Sequence, residues 1–260
     1  MDVVAVKPGS FLEITREERF FCSLLTHALL SSIMLREGLF ARLGDVTEID
    51  LDPQPGATEI YSEVAWLRDH WRNLGDPRFW SPELEDARKR FLAHCLVALG
   101  RRLDDIAEQP FFRTTGAHPK VVSPGRWPIA ALAGDSELRD LKWAFNAKPD
   151  FILVCGNRAL IIEAKVESDP GRTASGYSQD GTQGVLSRLL PAVSPYLDPE
   201  QVSRAWLARE AIDSHSPTVT WAEIAGLVER TPVDDLDEFS RRGLMRFADR
   251  AAASGARSES

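Results

Sequence analysis

Residues 148–165 read KPDFILVCGNRALIIEAK, and this stretch decides the fold that the sequence predicts. Two short runs of β-forming apolar residues, 151–155 and 159–162, lie on either side of Gly156-Asn157. A Gly-Asn pair between two such runs is typical of a two-residue hairpin loop, in which glycine supplies the positive φ of a type II′ turn. The stretch therefore predicts a β-hairpin.

The turn also sets the register of the predicted hairpin. With a two-residue loop, Cys155 faces Arg158, and counting toward the open end sets Asp150 opposite Glu163. Cross-strand partners share one face of a sheet, and so do residues i and i+2 of a strand. Asp150, Glu163 and Lys165 are therefore expected to project from the same face at the open end.

Charged groups at this end need an explanation, because both faces of the hairpin are otherwise apolar, as in central strands covered on both sides. Two directly opposed carboxylates repel each other, and a divalent cation between them removes this cost. Magnesium prefers oxygen ligands, often one or two carboxylates with phosphate oxygens of a substrate. A nearby lysine can orient a water molecule or offset charge when a P–O bond breaks. An ordinary hairpin with solvated end charges is the alternative.

The stretch as a whole has the order Pro149-Asp150, apolar strand, tight turn, apolar strand, Glu163-Ala164-Lys165. This order resembles the motif of the PD-(D/E)XK nucleases, the restriction-endonuclease-like superfamily. The resemblance covers the hairpin and the helix that follows it. It implies an α/β fold with a restriction-endonuclease-like core, in which helices flank a central mixed β-sheet, plus N- and C-terminal helical elaborations.

The resemblance also implies a function, that of a metal-dependent nuclease hydrolysing phosphodiester bonds with Mg²⁺ or Mn²⁺. Asp150, Glu163 and the backbone carbonyl of Ala164 would hold the metal, and Lys165 would orient the attacking water. DNA is the expected substrate, in restriction, phage defence or repair, while RNA, a homodimer and a partner protein all remain open. The main alternative is a catalytically silent nucleic-acid or protein binding module on the same fold. A helical interaction protein and an enzyme for a small phosphate ester are further alternatives.

Other polar side chains are weaker candidates for the same site. Glu63 is the acid inside the apolar run 60–66 and the preferred candidate for a supporting carboxylate, and an exposed position on an edge strand is the alternative. By the same resemblance, Gln179, Gln183 and Arg188 are candidates for contacts with water or phosphate, and Gln183 is also a catalytic candidate. Lys148, just before the hairpin, is a further candidate for a phosphate contact.

The composition limits the class of protein. The chain has 260 residues, of which 43% are hydrophobic and 27% charged, so one sizeable domain can form its core. No apolar run is long enough to span a membrane, the first residues lack the features of a signal peptide, and three dispersed cysteines indicate a reducing compartment. A cytoplasmic protein without a membrane partner is expected. The net charge of −8 argues against coating of nucleic acid by bulk electrostatics.

Helices are predicted on both sides of the hairpin. Thr15 and Glu18 form a capping box that opens a helix expected to run to about Arg36, and Glu17 or Glu18 is alternatively an additional metal ligand. Residues 45–66 look extended. Further helices are predicted at 67–74, from Ser81-Pro82 to about Leu99, at 136–147 and 182–190, from Thr220 and at 236–247, with a strand at 201–210.

Two regions carry basic residues that could contact phosphate. Residues 88–102 are the most basic part of the chain, and a solvated helix face is the favoured interpretation. Residues 106–135 predict a long irregular region, and the cations there that would be available are Arg113, His118, Lys120 and Arg126.

The predicted organisation is a single domain over residues 1–250. It comprises an N-terminal helical elaboration at about 15–105, a catalytic core at about 136–210 and C-terminal helices at about 220–250. A disordered tail is expected at 251–260.

Overall fold

The computed structural model describes residues 18–51, 58–76, 78–116, 119–165, 179–213 and 215–255. This part of the chain is an α/β structure, with helices flanking one open mixed sheet of five strands in the order β1-β2-β3-β4-β5. The strands are β1 (Thr58–Ser62), β2 (Phe151–Cys155), β3 (Arg158–Lys165), β4 (Val202–Ala208) and β5 (Thr218–Thr220). The helices are α1 (Glu18–Ser31), α2 (Ile33–Thr47), α3 (Trp66–Asn73), α4 (Pro82–Ala98), α5 (Asp104–Ala107), α6 (Ser136–Asn146), α7 (Gln179–Val193), α8 (Trp221–Arg230) and α9 (Glu238–Gly255).

The hairpin of β2 and β3 has the predicted register. Its antiparallel pairs run from Cys155 with Arg158 at the turn to Phe151 with Ile162. Gly156 has a φ of +61°, and Asn157 is not among the described residues of positive φ, which is the φ pattern of a type II′ turn. The prediction of a two-residue loop is therefore confirmed.

Several predicted helix starts are also confirmed, because each depends on a cap within three residues. The Ser81 side chain accepts a hydrogen bond from the Leu84 amide at 3.2 Å, and Pro82 occupies the first helical position of α4. Thr220 and Glu223 form both hydrogen bonds of a capping box at the start of α8.

The predicted end of the first helix is wrong. The helix does not continue to Arg36, because α1 ends at Ser31 and Ser32 adopts an extended backbone. The Ser32 side chain accepts a hydrogen bond from the Leu35 amide at 3.1 Å and thereby caps α2. The sequence did not predict this break, because apolar residues recur at helical spacing on both sides of Ser32 and their spacing carries no information about a change of helix axis. Thr15, the first residue of the proposed capping box, lies outside the described residues.

The extended segment predicted at 45–66 is wrong at both ends. Helix α2 continues to Thr47, the strand in the described part of this segment is Thr58–Ser62, and Trp66 already begins α3. The short strand β5 was not predicted, since it is only three residues long. Pro191 lies inside α7 rather than ending it. Helix α9 reaches Gly255, inside the tail that the sequence predicts to be disordered.

By its internal contacts the chain divides into two compact units. The first comprises Met1–Pro53, Glu163–Ser168 and Ala205–Ser260. The second comprises Gln54–Ile162 and Asp169–Arg204.

The first unit is built around aromatic packing of its helices. The Phe21 ring lies 4.3 Å from the Trp221 ring and 4.6 Å from the Phe247 ring, measured between centroids. Gly243 lets α9 approach α1 closely, because a Cβ atom there would collide with the Leu24 side chain.

The second unit packs helices α3, α4, α6 and α7 onto one face of the hairpin. Its core includes the hairpin residues Ile152, Val154, Ala159 and Ile161. Ile152 and Val154 follow Asp150 at i+2 and i+4, so they are expected on the same face as Asp150. Ile161 and Ala159 are their cross-strand partners and share that face. In the same core, the ring centroids of Trp71, Phe91 and Phe145 lie 5.9–6.0 Å apart in edge-on arrangements.

Within the described ranges, no single helix combines the length and the apolarity needed to cross a membrane. The consecutive helices Phe20–Ser31 and Ile33–Thr47 meet that requirement only jointly, by length and composition, and the pair is bent by 114°.

Candidate functional site

The candidate site begins where the pairs of the hairpin end. Phe151 and Ile162 form the last pair, Asp150 precedes β2 and Glu163 follows Ile162 within β3. The register predicted from the sequence would make Asp150 and Glu163 the next partners, and the observed pairs stop one residue short of them. Lys165 is the final residue of β3, and Ala164, which lies between Glu163 and Lys165, is fully buried.

The three charged groups of the motif are all buried. Asp150 is 7% exposed, Glu163 is 6% exposed and Lys165 is 8% exposed. Among the residues that the structure describes, Asp150 and Glu163 are the two buried carboxylates. Burying a carboxylate is costly unless it is hydrogen-bonded, protonated, paired with an opposite charge or bound to a metal.

An ion pair and a backbone contact hold the end of β3. Lys165 Nζ donates a hydrogen bond to Glu163 Oε1 at 3.1 Å, and both side chains are buried. The Lys165 backbone carbonyl accepts a hydrogen bond from Trp221 Nε1 at 2.9 Å. Trp221 is the first residue of α8, whose start is fixed by the Thr220 capping box. The sequence predicted a helix that starts at Thr220 but not the role of the indole, because no local pattern connects α8 to β3.

Glu63 is the one weaker candidate that the structure brings to the backbone of Asp150. Because Ser62 pairs with Phe151, the next residue after β1 meets Asp150, and the Glu63 amide donates to the Asp150 carbonyl at 3.3 Å. Glu63 does not lie in a strand as predicted, and its φ of +56° is in the left-handed region. A non-glycine residue there costs roughly 1–2 kcal/mol.

Gln183 lies in α7, the helix that packs on the same hairpin face as the candidate site. Val185 and Leu186 of α7 belong to the same core as Ile152 and Ile161. Gln183 is itself buried, together with Thr182. The contacts of Gln183 with water or phosphate stay a prediction.

The other candidates lie apart from this arrangement or outside the described residues. Arg188 donates a hydrogen bond to the Ala98 carbonyl at 2.8 Å, which gives its guanidinium a role at the end of α4. Lys148 is exposed in the segment between α6 and β2. Gln179 begins α7, and its side chain lies outside the described part, as do Glu17 and the side chain of Glu18.

The chemistry of the oxygen donors indicates which metal the candidate site would suit. Asp150, Glu163 and the carbonyl of Ala164 offer oxygen only, which suits Mg²⁺ or Mn²⁺ better than Zn²⁺, a metal that favours nitrogen and sulfur. The described residues contain no group of three or more His, Cys, Asp or Glu side chains that could hold a metal. Two carboxylates fit a magnesium site that leaves positions for water and substrate, and they do not form a closed cage.

Comparison with known protein families, with curated proteins and with solved structures finds no match for this chain.

Proposed function

We propose that this chain is a metal-dependent nuclease that hydrolyses phosphodiester bonds, on a fold of the restriction-endonuclease-like kind. The observation that carries the proposal is the pair of buried carboxylates, Asp150 and Glu163, at the open end of one hairpin, with an ammonium group 3.1 Å from the second. Two carboxylates that face each other across a hairpin repel, and a bound cation would offset that repulsion.

Each residue has a distinct role in this proposal. Asp150 and Glu163, together with the Ala164 carbonyl, hold Mg²⁺ or Mn²⁺. When bound, the ion would polarise the scissile phosphate and lower the pKa of a water molecule. Lys165 orients that water and offsets the negative charge that develops on the phosphate. Trp221 is a positioning residue, because its indole fixes the backbone of Lys165.

DNA is the substrate class that we propose, and RNA is the competing one. A role in restriction, phage defence or repair follows from the resemblance alone. The three described cysteines, Cys22, Cys95 and Cys155, are buried free thiols, which supports a reducing, cytoplasmic location.

A cleavage assay tests the proposal directly. Wild type and Lys165→Met would be incubated with supercoiled plasmid, linear duplex, single-stranded DNA and RNA, in Mg²⁺, Mn²⁺ or a chelator. We expect cleavage that requires metal and that falls by at least about 100-fold in Lys165→Met, the usual contribution of such a group. Lys89→Met, which removes a lysine paired with Glu85 on α4, is the matched control and should cleave like wild type. Equal rates for Lys165→Met and wild type would refute the assignment.

One observation favours a second function, the catalytically silent binding module. The ion pair of Lys165 with Glu163 compensates a buried carboxylate without any metal. Metal-dependent melting separates the two functions. A nuclease site should raise the melting temperature when Mg²⁺ or Mn²⁺ is added, since a ligand of the folded state stabilises it. Asp150→Asn should abolish this rise. A melting temperature independent of metal in wild type would favour the binding module.

A further inference from the structure

A cavity of about 670 Å³ lies within the second unit, between α3, the start of α4 and the irregular region after residue 113. This volume is in the usual range for small-molecule sites, roughly 300–1,000 Å³. The cavity is lined by basic side chains, namely Arg68, Arg72, Arg88, Lys120 and Arg126.

The acidic groups near the cavity are already engaged. Asp76 is the one carboxylate among its described lining residues. Arg78 binds Asp76 with two guanidinium nitrogens, at 2.6 Å and 2.9 Å from Oδ2, and hydrogen bonds from Arg78 lower the pKa of Asp76. Asp69 Oδ1 lies 3.4 Å from Arg68 Nε and 3.8 Å from Arg72 Nη1. The cavity thus retains an excess of positive charge in a protein whose net charge is −8.

Arg88 is the group in the cavity that most needs a ligand. Its side chain is 5% exposed and its guanidinium lies 5.1 Å from the centroid of the Trp71 ring. Nη2 donates to the Gly75 carbonyl at 3.2 Å, while Nε has no hydrogen-bond partner in the described part of the chain. Burial lowers the pKa of Arg88. A buried guanidinium is normally paired with an anion, and no described carboxylate pairs with this one.

The opposite wall is held rigidly in place. The Gly125 carbonyl accepts hydrogen bonds from Lys142 Nζ at 2.9 Å and from Asn146 Nδ2 at 3.1 Å. A Cβ atom on residue 125 would lie 2.7 Å from Asn146 Oδ1, so only glycine allows this close approach without movement of the asparagine. Because this wall is already ordered, ligand binding would cost less conformational entropy of the protein.

We propose that this cavity binds the phosphate of an organic phosphate of nucleotide size. Arginine forks match phosphate oxygens in bidentate geometry, and several cations around one point favour a group with more than one negative charge. The phosphate has two possible sources, a free nucleotide or the 5′-terminal phosphate of a nucleic-acid strand. The proposal does not depend on hydrolysis at the hairpin, because all the residues that carry it belong to α3, α4, α6 and the segments between them.

Binding measurements on the full chain in a chelator test the proposal. The probes are ATP, inorganic pyrophosphate, a 5′-phosphorylated oligonucleotide, its 5′-hydroxyl counterpart, and citrate as a carboxylate polyanion. We expect at least one phosphate probe to bind and citrate to bind at least tenfold more weakly. Preference for ATP identifies a free nucleotide, and preference for the 5′-phosphorylated strand over the 5′-hydroxyl strand identifies a strand end.

Paired variants locate the site. Arg72→Gln/Arg126→Gln removes two exposed cavity cations and should weaken phosphate binding at least tenfold. Arg90→Gln/Arg102→Gln removes the same charge from exposed positions outside the lining of the cavity and should bind like wild type. Equal weakening by both pairs, equal binding of citrate, or no binding of any phosphate probe would each overturn the proposal.

Discussion

Two regions of this molecule bury charge, and they do so in opposite ways. The hairpin end concentrates carboxylates, Asp150 and Glu163, with Lys165 paired to the second. The cavity concentrates cations, and its buried Arg88 stacks on Trp71 without a described carboxylate partner. Because each arrangement is costly without compensation, the sign of the buried groups indicates the sign of the ligand. The hairpin end suits a cation, and the cavity suits an anion.

The largest expected effect is a loss of folding stability when the buried charge pair at the hairpin end is broken. Lys165→Met should lower the free energy of unfolding by roughly 3–5 kcal/mol, because it leaves the buried Glu163 without its ammonium partner. Urea unfolding in a chelator measures this loss. The double variant Glu163→Gln/Lys165→Met should recover most of it, since neither charge is then buried. Losses that simply add in the double variant would contradict a coupled pair.

A smaller effect concerns the indole that holds the end of β3. Trp221→Phe keeps the aromatic contact with Phe21 but removes the hydrogen bond to the Lys165 carbonyl, at a cost of about 1–2 kcal/mol. Trp66→Phe is the matched control, because its buried Nε1 donates to Ser194 Oγ at 3.1 Å. Both variants should lose similar stability in urea. Only Trp221→Phe should also shift the metal concentration needed for cleavage; an equal shift in both would remove Trp221 from the site.

The cavity should respond differently to loss of its buried charge. Arg88→Met should change the free energy of unfolding by no more than about 1 kcal/mol, because replacing a buried charge by a packed apolar group is often neutral or stabilising. Phosphate binding should nevertheless be lost. Unfolding in urea and titration with ATP test the two halves of this expectation. A large loss of stability would mean that Arg88 serves the core, and the contrast with Lys165 would disappear.

The smallest effect belongs to a charge pair that is only half-buried. Burial alone would raise the pKa of Glu223, but hydrogen bonds from Thr220 and the Arg42 guanidinium at 2.7 Å lower it overall. Its contribution to stability is therefore fully present above the ordinary glutamate pKa and is lost as the pH falls through the lowered value.

Glu223→Gln should accordingly destabilise the protein at neutral pH and flatten the decline of stability below about pH 4.5. The change should stay under about 1 kcal/mol, because solvent screens the pair. Urea unfolding across this pH range measures it, with the exposed Glu229→Gln on the same helix as the control. An unchanged slope in Glu223→Gln would show that other carboxylates govern the acid range.

What the sequence predicted depends on how local each feature is. The hairpin register follows from a two-residue turn, and the starts of α4 and α8 follow from caps three residues away, so these predictions are confirmed. The break at Ser32 was missed, because Ser32 is held partly by Asp235, 2.6 Å from its hydroxyl and far away in sequence.

The charged residues show the same dependence on distance. Counting within the hairpin singled out Asp150 and Glu163, whose burial the structure then revealed. Arg88 was interpreted as part of a solvated helix face. That interpretation is wrong for this residue, although it suits Arg90, which is exposed on the same helix. Sequence spacing could not distinguish them, because the Trp71 ring beside Arg88 belongs to α3.

The pairing of β1 with β2 has a consequence for the order in which the protein assembles. The hairpin closes a two-residue loop, but β1 reaches β2 only after the chain between Ser62 and Phe151 has been brought together. The entropy of closing a loop grows with its length, so we expect the hairpin to form first and β1 to add later. Glu63 would then meet the Asp150 carbonyl only in this late step, and a refolding intermediate would be inactive. Pulse-labelling hydrogen exchange should show the Leu160 amide, which belongs to a hydrogen-bonded pair with Leu153 across the hairpin, protected before the Glu63 amide. The reverse order would exclude this sequence of events.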